Sequence, residues 1–379
     1  MPSLHPPSSI LHPRKILLRG VNWLGDAVMS TPALQRLREA KPDAQITLLT
    51  HEKLGDLWRD HPAIDAVLTF ATGESAWRVG RRLRTENFDL GLALPNSPRS
   101  AIELWFARIP QRMGYSRPWR DLFLTMAIRP RTGAVEMRKR SLQEINELNS
   151  SPSEATRNKL PEKAHHIFQY LHLVAALGAK AEPIAPHLVV AEKDVAAFRA
   201  RLREISGCEN SLWFGLNPGA EYGPAKRWPA ERFIAAALEL HRQTNCGWII
   251  FGANDPAICQ IAKELEKKLG RNFAADFSAK TTLLELCAGL KFCRLVLTND
   301  TGPMHAAAAL GTAVVVPFGS TSVELTGPGL PGNDRHAFLK SSAPCSPCFL
   351  RECPIDFRCM NSIPVSQVVN ACLRMVEKL

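Results

Sequence analysis

Tyrosine is nearly missing from this chain, with three in 379 residues, and aromatics reach only 7%. No aromatic-and-basic motif of the RNA-binding type is read in the sequence, which ranks a nucleic-acid-binding module low. A secretory leader is missing too. The opening MPSLHPPSSILHPRK has no apolar h-region, so residues 1–13 read as a disordered leader before the first strand. Long apolar runs are missing as well. The uncharged stretch between Asp300 and Glu324 is broken by Gly302, Pro303, His305, Gly311, Pro317 and Gly319, and reads as a buried helix and strand, not a membrane span. Ten cysteines without a leader read as reduced thiols of a cytoplasmic protein. Acidic charge is in deficit: 47 Lys and Arg face 36 Asp and Glu, for a net +11. The partners to expect are anionic: nucleotide, nucleic acid or a phosphorylated membrane surface.

What is present is ordinary globular material, 45% hydrophobic and 22% charged, enough for two cores. Short apolar runs at 15–19, 45–50, 66–70 and 89–94 alternate with helical stretches, and the pattern resumes at 212–217, 247–252, 294–299 and 312–318. This rhythm predicts α/β architecture: two doubly wound, Rossmann-like domains with parallel sheets, facing a central cleft. The boundaries read as 14–185 and 186–362, followed by a terminal helix at 363–379. Residues 134–162, polar and rich in Ser, Asn and Glu, read as a mobile insertion in the first domain.

Three turns stand where a strand runs into a helix. In RGVNWLGDAVMSTPAL (19–34), Asp26 lies at the helix start. It suits an N-cap or a general base held beside a sugar. In LNPGAEYGPAKRWPAERF (216–233), Gly219 and Gly223 allow close backbone approach, and Lys226 adds a cation. The loop fits a diphosphate or is a solvated basic loop. In TNDTGPMHAAAAL (298–310), Asp300, Thr301 and Gly302 open an Ala-rich helix and His305 falls in its first turn, a phosphate-binding geometry or an ordinary cap.

Other signals are weaker. Gly327, Gly329 and Gly332 spell G-x-G-x-x-G, but the intervening prolines make this a loop, not a dinucleotide fingerprint. Ten cations against three acids crowd residues 99–140, either a solvated face or a grip for an anionic acceptor or membrane. Cys345, Cys348, Cys353 and Cys359 offer four thiols for a structural zinc, although their spacing is not that of two separated CxxC pairs; unligated thiols or a redox pair are the alternatives.

Four segments, in order, resemble the ADP-heptose:lipopolysaccharide heptosyltransferases, a family of bacterial GT-B glycosyltransferases: NWLGDAVMSTPAL (22–34), LPNSPRSA (94–101), PGAEYGPAKRWP (218–229) and TNDTGPMHAAAAL (298–310). The third looks most like the heptosyltransferase II branch. The resemblance implies an inverting transfer of heptose from ADP-heptose to the lipopolysaccharide inner core, with no obligatory metal or cofactor and no nucleic-acid partner. It implies a cytoplasmic enzyme in peripheral contact with the inner membrane surface. By matching position, Asp26 is the implied base and Lys226 steadies the diphosphate. Gly219, Glu221, Asp300, Thr301, Gly302 and His305 line the nucleotide-sugar site, and Asn96, Arg99 and Arg120 meet the acceptor. Another GT-B nucleotide-sugar transferase or an epimerase is the nearest rival reading.

Overall fold

Parallel strands buried on both faces need near-continuous apolar sequence, and KILLR (15–19) supplies it. In the computed structural model, which describes residues 13–150, 160, 161, 163–208, 212–330 and 332–378, these strands build two units. The expected leader lies outside the described residues, apart from Pro13. One unit comprises Met1–Ala134 with Lys163–Val189; the other comprises Val135–Glu162 with Val190–Leu379.

In the first unit, β1 (Lys15–Arg19) enters α1 (Leu24–Ala40), and β2 (Gln45–His51) and β3 (Ala66–Phe70) follow. Next come α2 (Ala76–Leu83), β4 (Leu90–Ala93), α3 (Pro98–Phe106), β5 (Gln111–Tyr115) and β6 (Met126–Ile128). The sheet order is β3-β2-β1-β4-β5-β6, with every pairing parallel. Strand order therefore reverses between β1 and β4, the kind of switch point at which open α/β sheets bind ligands. β5 and β6 were not among the expected strands, because QRMGY and MAI carry no long apolar run.

The insertion departs from expectation. Residues 142–150 form a helix, α4 (Leu142–Ser150), and this segment belongs to the second unit. Two features explain it. Ser141 and Glu144 form reciprocal cap bonds, Glu144 N–H to Ser141 Oγ at 3.2 Å and Ser141 N–H to Glu144 Oε2 at 2.6 Å. Ile145 is buried against Cys345 and Cys348. Residues 151–159 lie outside the described residues.

α5 (Ile167–Ala175) returns to the first unit and packs along α1. The second unit runs through α6 (Glu192–Ser206), β7 (Trp213–Asn217), α7 (Ala230–Thr244), β8 (Gly247–Ile250), α8 (Pro256–Leu269) and β9 (Ala274–Asp276). It continues with α9 (Leu283–Phe292), β10 (Leu295–Thr298), α10 (Gly302–Ala309), β11 (Ala313–Phe318) and β12 (Ala337–Lys340). The order β12-β11-β10-β7-β8-β9 repeats the plan of the first sheet. The terminal helix, Val365–Glu377, packs on α7 and buries Val368, Val369, Cys372 and Met375. Among the described residues, no helix is long and apolar enough to cross a membrane.

Candidate active site

Each unit brings one group of polar side chains to the carboxyl ends of its strands. In the first, α1 is capped by the backbone of Trp23, and Asp26 sits in its first turn. The N-cap role considered for Asp26 is thus taken by another residue. Its side chain is 34% exposed, with Oδ1 4.0 Å from Nε2 of His166. That imidazole is 3.2 Å from the Tyr170 hydroxyl. Burial pulls the His166 pKa down to about 4, so the ring is neutral at pH 7. Burial, helped by the charge of Asp26, pushes the Tyr170 phenol well above its usual value. The carboxylate therefore has two neutral neighbours here. Nothing in the sequence pattern singled out His166 or Tyr170; only the packing of α5 on α1 brings them to Asp26.

Beneath this turn lies a buried ion network. Glu103, fully buried, accepts from Arg19 Nε and from Arg99 Nε, each at 2.7 Å. Arg19 also donates to the Gly20 carbonyl and, at 3.0 Å, to Asn22 Oδ1, which ties it to the loop that leads into α1. Asn96 is exposed on the turn between β4 and α3, and Arg99 follows in the first turn of α3, its side chain 41% exposed. Arg120 lies elsewhere than expected. It is fully buried, donating to the carbonyls of Tyr115 and, at 2.8 Å, Pro95. A guanidinium spent on backbone carbonyls holds two loops together rather than meeting an acceptor.

In the second unit, Lys226 ends a short turn, Pro224–Lys226, and its Nζ lies 2.7 Å from Asp300 Oδ2. Both side chains are largely buried, and Thr321 Oγ1 donates to the same oxygen at 2.5 Å. Two asparagines absent from the expected set organise the turn. Asn217 and Thr298 pair at the ends of β7 and β10. Asn217 Nδ2 donates to Thr298 Oγ1 at 3.0 Å and to Thr301 Oγ1 at 3.2 Å. Asn299 Oδ1 accepts from Trp228 N–H at 3.0 Å, and its Nδ2 donates to the Pro218 carbonyl at 2.6 Å. Loop 218–228 is thereby fastened to the N-terminus of α10, where Thr301 is the cap, Gly302 the first residue, and His305 is buried. Gly219 lies in the same loop, packed toward Ile258, and Glu221 is exposed on it. A cavity of about 260 Å³ behind this loop is lined by Pro218, Arg227, Trp228, Asp255, Ile258 and Met360 and does not reach the Lys226–Asp300 pair.

The cysteine-rich segment 345–359 braces that loop. The Tyr222 hydroxyl donates to the Phe349 carbonyl at 2.8 Å, and the Arg351 carbonyl accepts from Ala225 N–H at 3.0 Å. Cys345, Cys348, Cys353 and Cys359 line one small cavity with Ile145 and Gly319. Burial raises the thiol pKa values of Cys345, Cys348 and Cys359, the last to about 12. Among the described residues, no three His, Cys, Asp or Glu side chains are arranged to hold a metal ion. The zinc expectation thus finds no preformed ligand set.

Residues 76–357 match the model of glycosyltransferase family 9 (heptosyltransferase), well over half the chain. The chain belongs to glycosyltransferase family 9. As a member, it is a glycosyltransferase with the GT-B fold. The lipooligosaccharide heptosyltransferase 2 of Haemophilus ducreyi is 28% identical, over 83% of this chain and 86% of its own length. The lipopolysaccharide heptosyltransferase 2 of Escherichia coli is 27% identical, over 83% and 85%. Among solved structures, the E. coli ADP-heptose lps heptosyltransferase II superposes with a TM-score of 0.74 at 23% identity, covering 96% of this chain and 99% of that one. A family 9 glycosyl transferase from Veillonella parvula gives 0.77 at 21% identity, covering 97% and 99%. Both likenesses support the fold.

Proposed function

We propose that this family 9 member transfers L-glycero-D-manno-heptose from ADP-heptose to the heptose/Kdo-lipid A inner core of lipopolysaccharide, with inversion, at the cytoplasmic face of the inner membrane. The observation that carries the reading is the Lys226–Asp300 pair at the N-terminus of α10. A diphosphate arriving there finds a lysine ammonium and the positive end of a helix. Gly219, Glu221, Thr301, Gly302 and His305 share the loop and turn. The names of the curated relatives support heptose as the sugar and lipopolysaccharide or lipooligosaccharide as the product.

Asp26 accepts the proton of the acceptor hydroxyl as its oxygen bonds to the anomeric carbon. The bond from that carbon to the diphosphate oxygen breaks, and ADP leaves with the electron pair. Lys226 and the α10 amides offset the charge that grows on it. His166 and Tyr170, both neutral at pH 7, stand beside the Asp26 carboxylate that takes this proton. Asn96 and Arg99 present a donor group and a cation to the anionic acceptor. Arg120 holds the loops that carry them.

A transfer assay tests this. Purified protein with ADP-heptose and a defined inner-core acceptor is expected to release ADP and add one heptose, read by mass spectrometry. Equal transfer from UDP-hexoses, or none from ADP-heptose, contradicts the reading.

A further inference from the structure

Trp119 is 81% exposed, while its neighbour Arg120 is fully buried. That contrast defines the loop from β5 to β6. Arg120 anchors it from below, and Gly114 makes room: a Cβ there would stand 2.6 Å from the guanidinium. Asp121 ties it from the side, accepting from Ser116 Oγ at 2.5 Å and from Arg117 N–H at 2.9 Å. Trp119 itself has φ of 61°, a left-handed conformation costly for a bulky side chain. A loop tied this firmly holds its tryptophan in solvent despite that cost.

Two more large apolar side chains join it. Leu122 is 75% exposed. Next to it, the ring of Phe123 meets Trp105 edge-on at 5.7 Å, and Trp105 is 45% exposed. The surrounding charge is positive. Arg117 is exposed beside Trp119, and the bond from Ser116 N–H to the Ile128 carbonyl at 2.7 Å brings exposed Arg129 to the same end. Arg108 is exposed just beyond α3, near Trp105. Asp121, the acid in this loop, spends its carboxylate on Ser116 and Arg117 N–H.

We propose that this edge of the first unit is a docking surface for an anionic lipid bilayer. Trp119, Leu122 and Trp105 enter the boundary between headgroups and acyl chains, and Arg117, Arg129 and Arg108 face lipid phosphates. Tryptophan rings favour that depth, and arginine forks match phosphate. Charge complementarity selects an anionic membrane over a neutral one. The proposal deepens the reading of a lipid-linked acceptor and rests on it for its purpose, but the binding is measurable alone.

Co-sedimentation with phosphatidylcholine vesicles, with and without phosphatidylglycerol, is the test. The full chain is expected to bind the anionic vesicles, less so as salt rises. Trp119→Ala with Leu122→Ala is expected to weaken that binding by about tenfold or more. Both side chains are exposed, so the melting temperature stays put, and turnover on a lipid-free soluble core acceptor stays at the wild-type level. Absence of binding to anionic vesicles, or equal binding by the variant, overturns the proposal. So does sedimentation showing that the double substitution converts a dimer to a monomer, since a second copy would then be the occupant. Vesicle binding without any sugar transfer would instead sink only the proposed activity.

Discussion

At the scale of the residue, the first unit turns on one carboxylate. Asp26 has the cap position occupied ahead of it, partial exposure, and neutral His166 and Tyr170 beside it. Replacing it with Asn keeps size and shape but removes the proton acceptor. Turnover is expected to fall by roughly two to four powers of ten, the range for losing a general base. ADP affinity, read by calorimetry, is expected to be unchanged, because the proposed diphosphate contacts lie in the second unit. A rate within about tenfold of wild type removes Asp26 from the mechanism. Lys226 is the counterpart. Its ammonium is already desolvated against Asp300, so Lys226→Ala takes away a preorganised cation and leaves a buried carboxylate facing the diphosphate. Weaker ADP binding and slower transfer are both expected. Unchanged affinity together with unchanged rate would falsify its role.

The element that matters most is the loop between β7 and α7, because it carries Lys226 and is held from two sides. Asn299 fastens it to the turn before α10, and the Cys345–Cys359 segment braces it through Tyr222 and Ala225. Gly223 is where the brace comes closest. Its φ is 153°, and a Cβ would stand 2.4 Å from the Arg351 carbonyl oxygen. Gly223→Ala must therefore shift backbone, at a cost of about 1–3 kcal/mol. The expected result is weaker ADP binding with intact secondary structure, roughly tenfold for each 1.4 kcal/mol that reaches the site. Wild-type ADP affinity in this variant would show that the brace does not set the loop. Elements of this kind divide the legible from the illegible. The strands KILLR and TAVVVPF follow from their continuous apolar runs, and they form where the pattern puts them, the second from Ala313 on. Asp26, Lys226, Asp300 and Thr301 were legible because each sits where a strand runs into a helix. His166, Asn299 and Thr321 were not, since each reaches its partner from a distant segment. The α4 helix was passed over because nine polar-looking residues hid a capping box and one buried isoleucine. Arg120 read as a ligand for an acceptor because a sequence shows an arginine's charge and not the carbonyls around it.

For the whole molecule, acid is the informative stress, because desolvation keeps His61, His166 and His336 neutral. Burial brings His61, His166 and His336 each down to about 4 from 6.5, with the nearby charge of His187 adding to the shift at His61 and that of Arg335 at His336. Between those two values the unfolded chain binds protons that the folded chain refuses, so stability falls as pH falls from about 6.5 toward about 4. The depressed carboxylates act lower: Glu144 and Glu239 are held to about 2 by Arg138 and Arg242, so their linkage lies below the usual carboxylate value of 4.5. Each histidine contributes a slope of about 1.4 kcal/mol per pH unit within its window. His61 and His166 belong to the first unit and His336 to the second. The first unit is therefore expected to lose stability about twice as steeply from these groups. Urea melts across pH 7 to 4.5, with hydrogen exchange reporting each unit separately, measure this. His61→Asn and His166→Asn are expected to flatten the acid slope of the first unit and leave that of the second alone. An acid slope shared equally by the two units, and indifferent to both substitutions, would place the proton uptake on other groups.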